Sequence, residues 1–335
     1  MTTTQKTMQA ILVKQPGGAD QLELGTFPKP KPAQNELLVK IKATALNRAD
    51  IMQRQGNYPP PTGASPVLGL EMAGVVEDVG EDCSGWKTGD RACALLPGGG
   101  YAEYAVVPDA FAMPIPENLD FEQAAAIPEV FLTAYQCLAW IGRLRDGETA
   151  LIHAGASGVG TAAIQLAREI GARIVVTAGS ERKLRVCRDL GADVAINYKD
   201  GPFAPRVRDA TDAQGVDLIL DFVGAAYWEQ NLSALALDGR MVLIALLGGA
   251  TVAQANLAKL LRKRVQLTAT TLRTRSVEYK ARLTRDFADF ALPRFADGRL
   301  KPVIDQIFSW QEVAEAHQYM EANKNIGKIV LCVAD

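Results

Sequence analysis

The pattern of hydrophobic and polar positions along the chain changes near residue 121. In the first part, short apolar runs such as 10–13 and the partly alternating 37–42 are separated by turns rich in Gly and Pro. Alternation with a period of two residues is typical of half-buried strands. Many short strands with turns of this kind predict a compact β-barrel-like domain that ends near residue 125.

From residue 149 onward, strands and helices alternate. Short apolar runs predict six strands, at 150–152, 174–177, 194–196, 216–222, 241–247 and 265–272. Helical periodicity covers 180–190, where Ser180 would cap the helix and Gly191 follows its end. Six strands with intervening helices indicate a doubly wound, mostly parallel sheet.

Two further segments lie outside this alternation. Residues 121–144 have helical periodicity with a proline interruption. Near the end, the sequence predicts a strand at 305–309, a helix at 311–322 and a last strand at 328–333. Because this tail exceeds what a dinucleotide-binding sheet needs, we expect it to return to the first domain.

The segment with the clearest chemistry is ETALIHAGASGVGTAAIQLAREIG, at 148–171. A short apolar run is followed by Gly155, Gly158 and Gly160, and then by apolar residues at helical spacing. A strand, a glycine-rich turn and a helix together place a pyrophosphate against the N–H groups of a helix N-terminus. The fingerprint is imperfect, because its second glycine is Ser157.

The residues after the next strand indicate which dinucleotide is bound. NAD sites usually carry Asp or Glu about 20 residues beyond the fingerprint, where it binds the ribose 2′-hydroxyl. Here the strand ends in Ala-Gly179-Ser180, and Glu181 lies one residue into the helix. Gly179 leaves room for a 2′-phosphate and Lys183 can pair with it, so the sequence predicts NADPH.

Composition excludes several classes of protein. The chain has 335 residues, 48% apolar and 22% charged, which predicts a globular protein of two domains. A net charge of −2 without a basic run argues against nucleic-acid binding. No run approaches the roughly 18 apolar residues of a membrane span, and residues 1–10 lack the apolar core of a signal peptide. Five cysteines without a C-x-x-C pair indicate reduced thiols in the cytoplasm.

Six segments resemble the quinone oxidoreductase (zeta-crystallin-like) branch of the medium-chain dehydrogenase/reductase superfamily. They are NRADIMQRQGNYPPP, LPGGGYAEY, QAAAIPEVFLTAY, HAGASGVGTAAIQLA, ALDGR and EANKNIGKIVL. The resemblance covers nearly the whole chain and implies an α/β fold of two domains. A GroES-like β-barrel catalytic domain would comprise 1–127 and 301–335, and a doubly wound Rossmann domain that binds NADPH would comprise 128–300.

The residue types at the zinc positions of this superfamily argue against a metal. Zinc-dependent relatives carry Cys where this sequence has Asn47, and His where it has Leu70 before Glu71. A catalytic Zn²⁺ needs three protein ligands and an open position. The chain has only two histidines, His153 and His317, and it lacks the four-cysteine structural site. We therefore expect no metal, and we expect His153 to be a packed, hydrogen-bonded side chain.

The resemblance also implies the cofactor-binding residues. The adenosine phosphate of NADPH would be held by Gly179, Ser180, Lys183 and Tyr198. The diphosphate would be held by Ser157, Gly158, Val159, Gly160 and Thr161. The nicotinamide would lie near Asn47, Thr133, Leu246, Leu247, Gly248, Leu272 and Arg273, with Asn325 covering the cofactor from the returning tail.

For hydride transfer to a quinone, the protein needs to position the cofactor and the acceptor and to supply a hydrogen-bond or proton donor. Tyr58 is the first candidate for that hydroxyl and Ser157 the second, because the family pattern places both near the reacting ring. Asn47 would orient the nicotinamide or polarise the acceptor, and Asp50 would brace the loop. The sequence thus predicts an NADPH-dependent, zinc-independent quinone reductase.

Two alternatives to this function stay open. The same pocket could reduce the activated C=C bond of an enal or enone, or the chain could be an NADPH-binding sensor or structural protein without turnover. We also expect a homodimer or a tetramer. Residues 241–247, MVLIALL, have the pattern of an edge strand that needs a partner, and relatives are commonly dimers.

Overall fold

The computed structural model describes residues 6–333, so that part of the N-terminal segment considered for a signal peptide lies outside the described residues. The chain divides into two compact units. The first contains the residues up to Leu132 and those from Leu272 onward, and the second contains Thr133–Thr271.

The strands and helices of the described residues are as follows. The strands, in chain order, are β1 (Thr7–Val13), β2 (Leu22–Pro28), β3 (Glu36–Ala45), β4 (Glu71–Val79), β5 (Arg91–Leu95), β6 (Tyr104–Pro108), β7 (Ala112–Pro114), β8 (Thr149–Ile152), β9 (Arg173–Ala178), β10 (Val194–Asn197), β11 (Val216–Asp221), β12 (Leu235–Leu243), β13 (Gln266–Ala269), β14 (Ile304–Ser309) and β15 (Lys328–Cys332). The helices are α1 (Arg48–Arg54), α2 (Phe121–Ala125), α3 (Pro128–Tyr135), α4 (Gly158–Ile170), α5 (Glu181–Asp189), α6 (Phe203–Ala210), α7 (Trp228–Ala234), α8 (Leu257–Lys263), α9 (Val277–Ala296) and α10 (Val313–Glu321).

The first unit is built on a seven-stranded sheet in the order β14-β15-β3-β4-β5-β7, with β6 also paired to β3, and on the β1-β2 hairpin. Alternate residues of β3, including Leu37, Val39 and Ile41, are buried in the core, as period-two patterning requires. β15 pairs antiparallel with β3, which confirms that the tail returns to the first domain.

Helix α9 also belongs to the first unit. The rings of Phe287 and Phe295 lie 6.4 and 5.0 Å from that of Phe131, and the Asn118 side chain donates to the Phe295 carbonyl at 3.0 Å. The predicted domain limits at 127 and 301 therefore differ from the observed units. The periodicity of this 20-residue helix was not used in the sequence analysis, and α1 lies in a segment for which no helix was predicted.

The second unit contains a six-stranded sheet in the order β10-β9-β8-β11-β12-β13. Every pairing in this sheet is parallel, so the predicted doubly wound sheet is confirmed. β8 lies in its interior, and the glycine-rich turn follows the carboxyl end of β8. This is the edge at which open α/β sheets bind their ligands.

One prediction about this sheet is wrong. The strand predicted at 241–247 is β12, which starts earlier and ends at Leu243, and it lies between β11 and β13 rather than at the edge. The apolar run that follows it forms β13, whose parallel register pairs Gln266 with Arg240 and covers β12. The edge strand on this side of the sheet is β13, and its four residues are exposed.

The helices of residues 6–333 include none that combines the length and the apolar character needed to cross a membrane.

Candidate cofactor site and active site

The glycine-rich turn leads into the N-terminus of α4, where Ser157 accepts hydrogen bonds from two of the first N–H groups of the helix. The Ser157 hydroxyl oxygen accepts a hydrogen bond from the Gly160 N–H at 3.0 Å, and the Thr161 N–H donates to the Ser157 carbonyl at 2.8 Å. A Cβ on Gly160 would lie 2.7 Å from the Gly155 carbonyl oxygen, so only glycine lets the helix pack this closely on the turn. The N–H groups of Gly158 and Val159 come before these two bonded groups in the sequence. They lie at the N-terminus of α4, and a helix N-terminus is the end that binds anions.

The residues predicted to hold the adenosine phosphate come together at the end of β9. A Cβ on Gly179 would lie 2.5 Å from the Tyr198 hydroxyl, so the phenol occupies the space that a larger residue would need. Ser180 is the N-cap of α5, where its hydroxyl oxygen accepts from the Lys183 N–H at 3.4 Å. The four predicted residues therefore surround one strand end and one helix start.

Glu181 is the acidic residue nearest to this strand end, and its carboxylate is bound elsewhere. The Arg188 guanidinium donates to Glu181 Oε1 at 2.7 Å along the exposed face of α5. This hydrogen bond is the main cause of the lowered pKa of Glu181. The carboxylate thus follows the helix surface, and the residue at the strand end itself is Gly179.

The segment 246–248, predicted to lie beside the nicotinamide, is braced by the neighbouring loop. The Leu247 N–H donates to the Phe222 carbonyl at 3.1 Å and the Gly248 N–H to the Val223 carbonyl at 2.8 Å. The side chains of Leu246 and Leu247 are 49% and 63% exposed, so an apolar surface is presented on a fixed backbone. Thr133, also assigned to the nicotinamide, is partly exposed at the start of this unit.

A buried polar chain connects three strand ends of the same sheet, and the sequence analysis missed all of it except His153. His153 Nδ1 lies 2.9 Å from the Thr177 hydroxyl, and Nε2 lies 2.7 Å from Asn231 Oδ1. The Asn231 amide donates to Asp221 Oδ2 at 3.1 Å, and Asp221 accepts the Val223 N–H at 2.7 Å. His153 therefore donates from Nε2 and accepts at Nδ1 as a neutral ring.

His153 has the packed, hydrogen-bonded character that was predicted. It is fully buried, and the rings of Phe203 and Tyr227 each lie 4.8 Å from it. Burial lowers its pKa to about 4, against a smaller opposite effect of Asn231. The ring thus stays neutral at physiological pH and orients the loop that Asp221 holds.

In the first unit, Asn47 caps α1 and its amide is fully engaged by the protein. Nδ2 donates to the Ala45 carbonyl at 3.2 Å and to Glu71 Oε1 at 2.9 Å, while Oδ1 accepts from Lys328 Nζ at 2.7 Å. Lys328 Nζ also lies 2.7 Å from Glu71 Oε1 and donates to the Leu46 carbonyl. Glu71 and Lys328 are buried, so an ion pair absent from the sequence analysis fixes the Asn47 amide.

Asp50 braces the same loop, as predicted. Its carboxylate accepts the N–H groups of Asn47 at 2.8 Å and Gly69 at 3.1 Å, together with the Tyr101 hydroxyl at 3.3 Å. Asp50 is fully buried, and this burial raises its pKa to about 6 against the opposing effect of the backbone bonds. The segment that leads into β4 at Gly69 is thereby tied to the start of α1.

His317 continues this network toward the surface. Its Nε2 lies 3.3 Å from the Tyr101 hydroxyl, and its Nδ1 lies 3.1 Å from the buried Arg54 guanidinium. Arg54 in turn donates to the partly exposed Glu321 at 2.5 Å. Burial, with the nearby charge of Arg54, lowers the pKa of His317 to about 3. His317 therefore links α10 to α1 as a neutral ring.

Tyr58 and Arg273, both predicted site residues, are in contact. The Arg273 guanidinium lies 5.1 Å from the centre of the Tyr58 ring and donates to the side chain of Gln53 at 2.7 Å and the carbonyl of Pro97 at 2.6 Å. Burial raises the pKa of Tyr58, which Arg273 opposes. Tyr58 is partly exposed, and its raised pKa keeps the hydroxyl a neutral hydrogen-bond donor at neutral pH.

The other predicted residues of the first unit have more local roles. Leu272 is buried, and the Asn325 amide donates to the Gly327 carbonyl at 2.8 Å. Of the predicted site residues, Asn47, Tyr58, Leu272, Arg273 and Asn325 lie in the first unit and all others in the second. Among residues 6–333, His, Cys, Asp and Glu side chains form no group of three that could hold a metal ion.

Two family models match the chain. The one described as an alcohol dehydrogenase GroES-like domain matches residues 33–117, and the one described as a zinc-binding dehydrogenase matches residues 158–288. The human quinone oxidoreductase is 31% identical over 99% of both chains. A component of the phenolphthiocerol/phthiocerol polyketide synthase of Mycobacterium tuberculosis is 32% identical over 96% of this chain, which spans only 15% of that relative's length.

Solved structures agree with the sequence relatives. A mycobacterial protein in complex with NADPH is 30% identical, with a TM-score of 0.86 over 97% of this chain and 100% of that one. The CurK enoyl reductase is 28% identical, with a TM-score of 0.86 over 98% of this chain and 99% of that one. With this fold, these matched regions and full-length relatives, the chain belongs to the medium-chain dehydrogenase/reductase superfamily and to its quinone oxidoreductase branch.

Proposed function

We propose that this protein is an NADPH-dependent quinone reductase that works without zinc. The observation that carries the proposal is the buried Lys328 ammonium, which binds Asn47 and Glu71 where a zinc-dependent relative would need metal ligands. A simple ketone or alcohol gains from a Lewis acid, whereas the oxygens of a quinone accept negative charge readily. The residues at this position therefore suit an acceptor that is already strongly electrophilic.

Charge supports the zinc-independent part of the proposal. Lys328 Nζ lies 2.7 Å from both Asn47 Oδ1 and Glu71 Oε1. A divalent cation bound by the same oxygens would be repelled by this ammonium at short range, where buried charges are little screened. Asn47 and Leu70 also lack the thiolate and imidazole that zinc prefers.

The choice of NADPH is supported by the residues at the end of β9. Gly179 is the last residue before Ser180, and the exposed Tyr198 lies against it. Ser180 and Lys183 supply a hydroxyl and an ammonium at the start of α5, and Glu181 is paired with Arg188. This donor set fits a 2′-phosphate better than a ribose diol.

When bound, the reduced nicotinamide supplies the hydride, and the chain supplies binding and orientation. The N-terminus of α4, with the hydroxyl of Ser157, would hold the diphosphate. The braced segment 246–248 would support the nicotinamide, and its two exposed leucines would exclude water from one side. Tyr58 would donate a hydrogen bond to an acceptor oxygen, and Asn47, whose amide is fixed by Glu71 and Lys328, would polarise the acceptor.

The test is steady-state oxidation of NADPH and NADH with 1,2-naphthoquinone and 1,4-benzoquinone, in the presence and absence of 1,10-phenanthroline. We expect quinone-dependent oxidation that prefers NADPH and does not respond to the chelator. Failure of the protein with every quinone would refute the proposal. Tight NADPH binding without oxidation by any acceptor would instead support a sensor or structural role.

A second activity, reduction of the activated C=C bond of an enone or enal, is favoured by one observation. The CurK enoyl reductase shares the fold over 98% of this chain. The same hydride donor and pocket would serve, so turnover of cyclohexenone beside that of a quinone separates the two. A higher kcat/KM for the enone would make the alkene the preferred class of substrate.

We further propose that the protein is a cytoplasmic homodimer. The edge strand β13 presents unpaired backbone groups, and Leu267 on it is 44% exposed. On the neighbouring α8, Leu257 and Leu261 lie one turn apart and are 68% and 79% exposed. A second copy would cover this apolar edge. The five cysteines are all free thiols, which suits a reducing compartment.

A further inference from the structure

Glu129 lies at one end of the buried cluster that fixes Asn47. It is the second residue of α3, and its N–H donates to Glu71 Oε2 at 2.8 Å. The other oxygen of the same carboxylate, Oε1, accepts from Asn47 Nδ2 at 2.9 Å and lies 2.7 Å from Lys328 Nζ. The Glu71 carboxylate thus bridges the backbone N–H of Glu129 and the side-chain amide of Asn47.

Exposure distinguishes Glu129 from the rest of this cluster. Glu71 and Asp50 are 0% exposed, Lys328 is 3% exposed and Asn47 is 6% exposed. Glu129 keeps part of its surface open, and its carboxyl group has no hydrogen-bond partner among residues 6–333. Of the acidic residues in the cluster, Glu129 is therefore the one that the protein does not cover completely.

The charges around Glu129 favour a proton on its carboxyl group near neutral pH. The groups that interact with it electrostatically are Lys328 on β15, Glu71 on β4, Asp50 on α1 and the Tyr58 hydroxyl on the following loop. Burial raises the pKa of Glu129 to about 7, with Glu71 and Asp50 adding to the rise and Lys328 opposing it. An acid with a pKa near the working pH is the most effective proton donor.

The comparison with Tyr58 assigns different tasks to the two groups. The pKa of Tyr58 is raised above its ordinary value by burial, which makes the phenol a weaker acid. Glu129 contributes to that rise, so the two groups share one electrostatic environment. A phenol of this kind is a good hydrogen-bond donor, whereas the carboxylic acid releases its proton far more readily.

We propose that Glu129 is the proton donor of the reaction, and this inference rests on the proposed quinone reductase function. A quinone that has received a hydride, which carries two electrons, becomes a hydroquinone monoanion. The O–H bond of the Glu129 carboxyl breaks, an O–H bond forms on the hydroquinone, and the carboxylate recovers a proton from water. Each turnover then consumes one hydride and one solvent proton.

The test compares Glu129→Gln with a matched variant, Glu117→Gln, whose exposed side chain lies in the same unit away from this cluster. Infrared difference spectra between pH 6 and pH 8, taken on the whole protein labelled with ¹³C-glutamate, report protonated carboxyl groups without any turnover. We expect a carboxyl band that titrates near pH 7 in the wild-type and Glu117→Gln proteins and is missing in Glu129→Gln. A Glu129 carboxyl that is already ionised at pH 6 would overturn the proposal.

Kinetics supply the second readout. With quinone and NADPH, kcat/KM of the wild type should fall as pH rises through about 7, and Glu129→Gln should be at least about 100-fold slower and lack this limb. Glu129→Asp should recover part of the rate and the limb. NADPH binding, followed by fluorescence, should be unchanged in all variants and verifies their folding. Wild-type rates in Glu129→Gln would overturn the assignment.

These readouts separate the two proposals. If the wild-type protein reduces no quinone, the proposed function fails. The infrared band then decides separately whether Glu129 holds a proton at neutral pH, because that measurement needs neither quinone nor NADPH.

Discussion

The buried His153 predicts a loss of stability in mild acid whose size can be worked out. Its pKa is about 4 in the folded protein, against an ordinary value of 6.5 for an exposed ring. Between these pH values the unfolded chain binds a proton that the folded protein does not, so acidification favours unfolding. A difference of about 2.5 units at about 1.4 kcal/mol each gives about 3 kcal/mol, lost as pH falls from 6.5 to 4.

The measurement is urea unfolding of the wild type and of His153→Gln at several pH values between 7 and 4. Gln cannot titrate but keeps an amide donor for Asn231. We expect the wild-type free energy of unfolding to fall relative to the variant by about 3 kcal/mol across this range. His317, which titrates in the same direction, is present in both proteins and cancels in the difference. If the free energies of unfolding of the wild type and of His153→Gln change equally with pH, this account is refuted.

Three further predictions follow from single contacts. Gly179→Ala should displace Tyr198 and weaken NADPH binding about tenfold with little change for NADH, as measured by fluorescence titration; equal losses would contradict the 2′-phosphate assignment. Lys328→Met should lower the free energy of unfolding by about 3–5 kcal/mol, because it leaves Glu71 buried without a partner; an unchanged urea midpoint would contradict this. Leu267→Arg should yield monomers in sedimentation velocity, and an unaltered dimer would place the interface elsewhere.

The features that could be predicted are those indicated by residues close together in the sequence. The turn at 155–160 is indicated by glycine spacing and the helix that follows, and Ser180 lies where a capping residue is expected. The return of the tail was expected from its excess length, and β15 provides it. These features depend on neighbours in sequence, so a single sequence suffices to find them.

The parts that were missed depend on contacts between distant residues. Lys328 and Asn47 are 281 positions apart, and nothing near either residue in the sequence indicates the buried hydrogen bond between them or the ion pair of Lys328 with Glu71. The raised pKa of Glu129 arises from burial beside Glu71 and Asp50, which no local pattern of α3 reveals. The edge of the second sheet was misplaced because an apolar run indicates a strand but does not specify its neighbours.

The position of Lys328 on β15 has a consequence for biosynthesis. A ribosome exposes Asn47 and Glu71 early, but the ammonium that neutralises Glu71 emerges only with β15, after the whole second unit has been made. Until then, the Glu71 carboxylate has no counter-ion, and β3 lacks its pairing with β15. Emergence of β15 therefore supplies, in one step, both the missing strand and the counter-ion, and the barrel that synthesis begins first is completed after its neighbour.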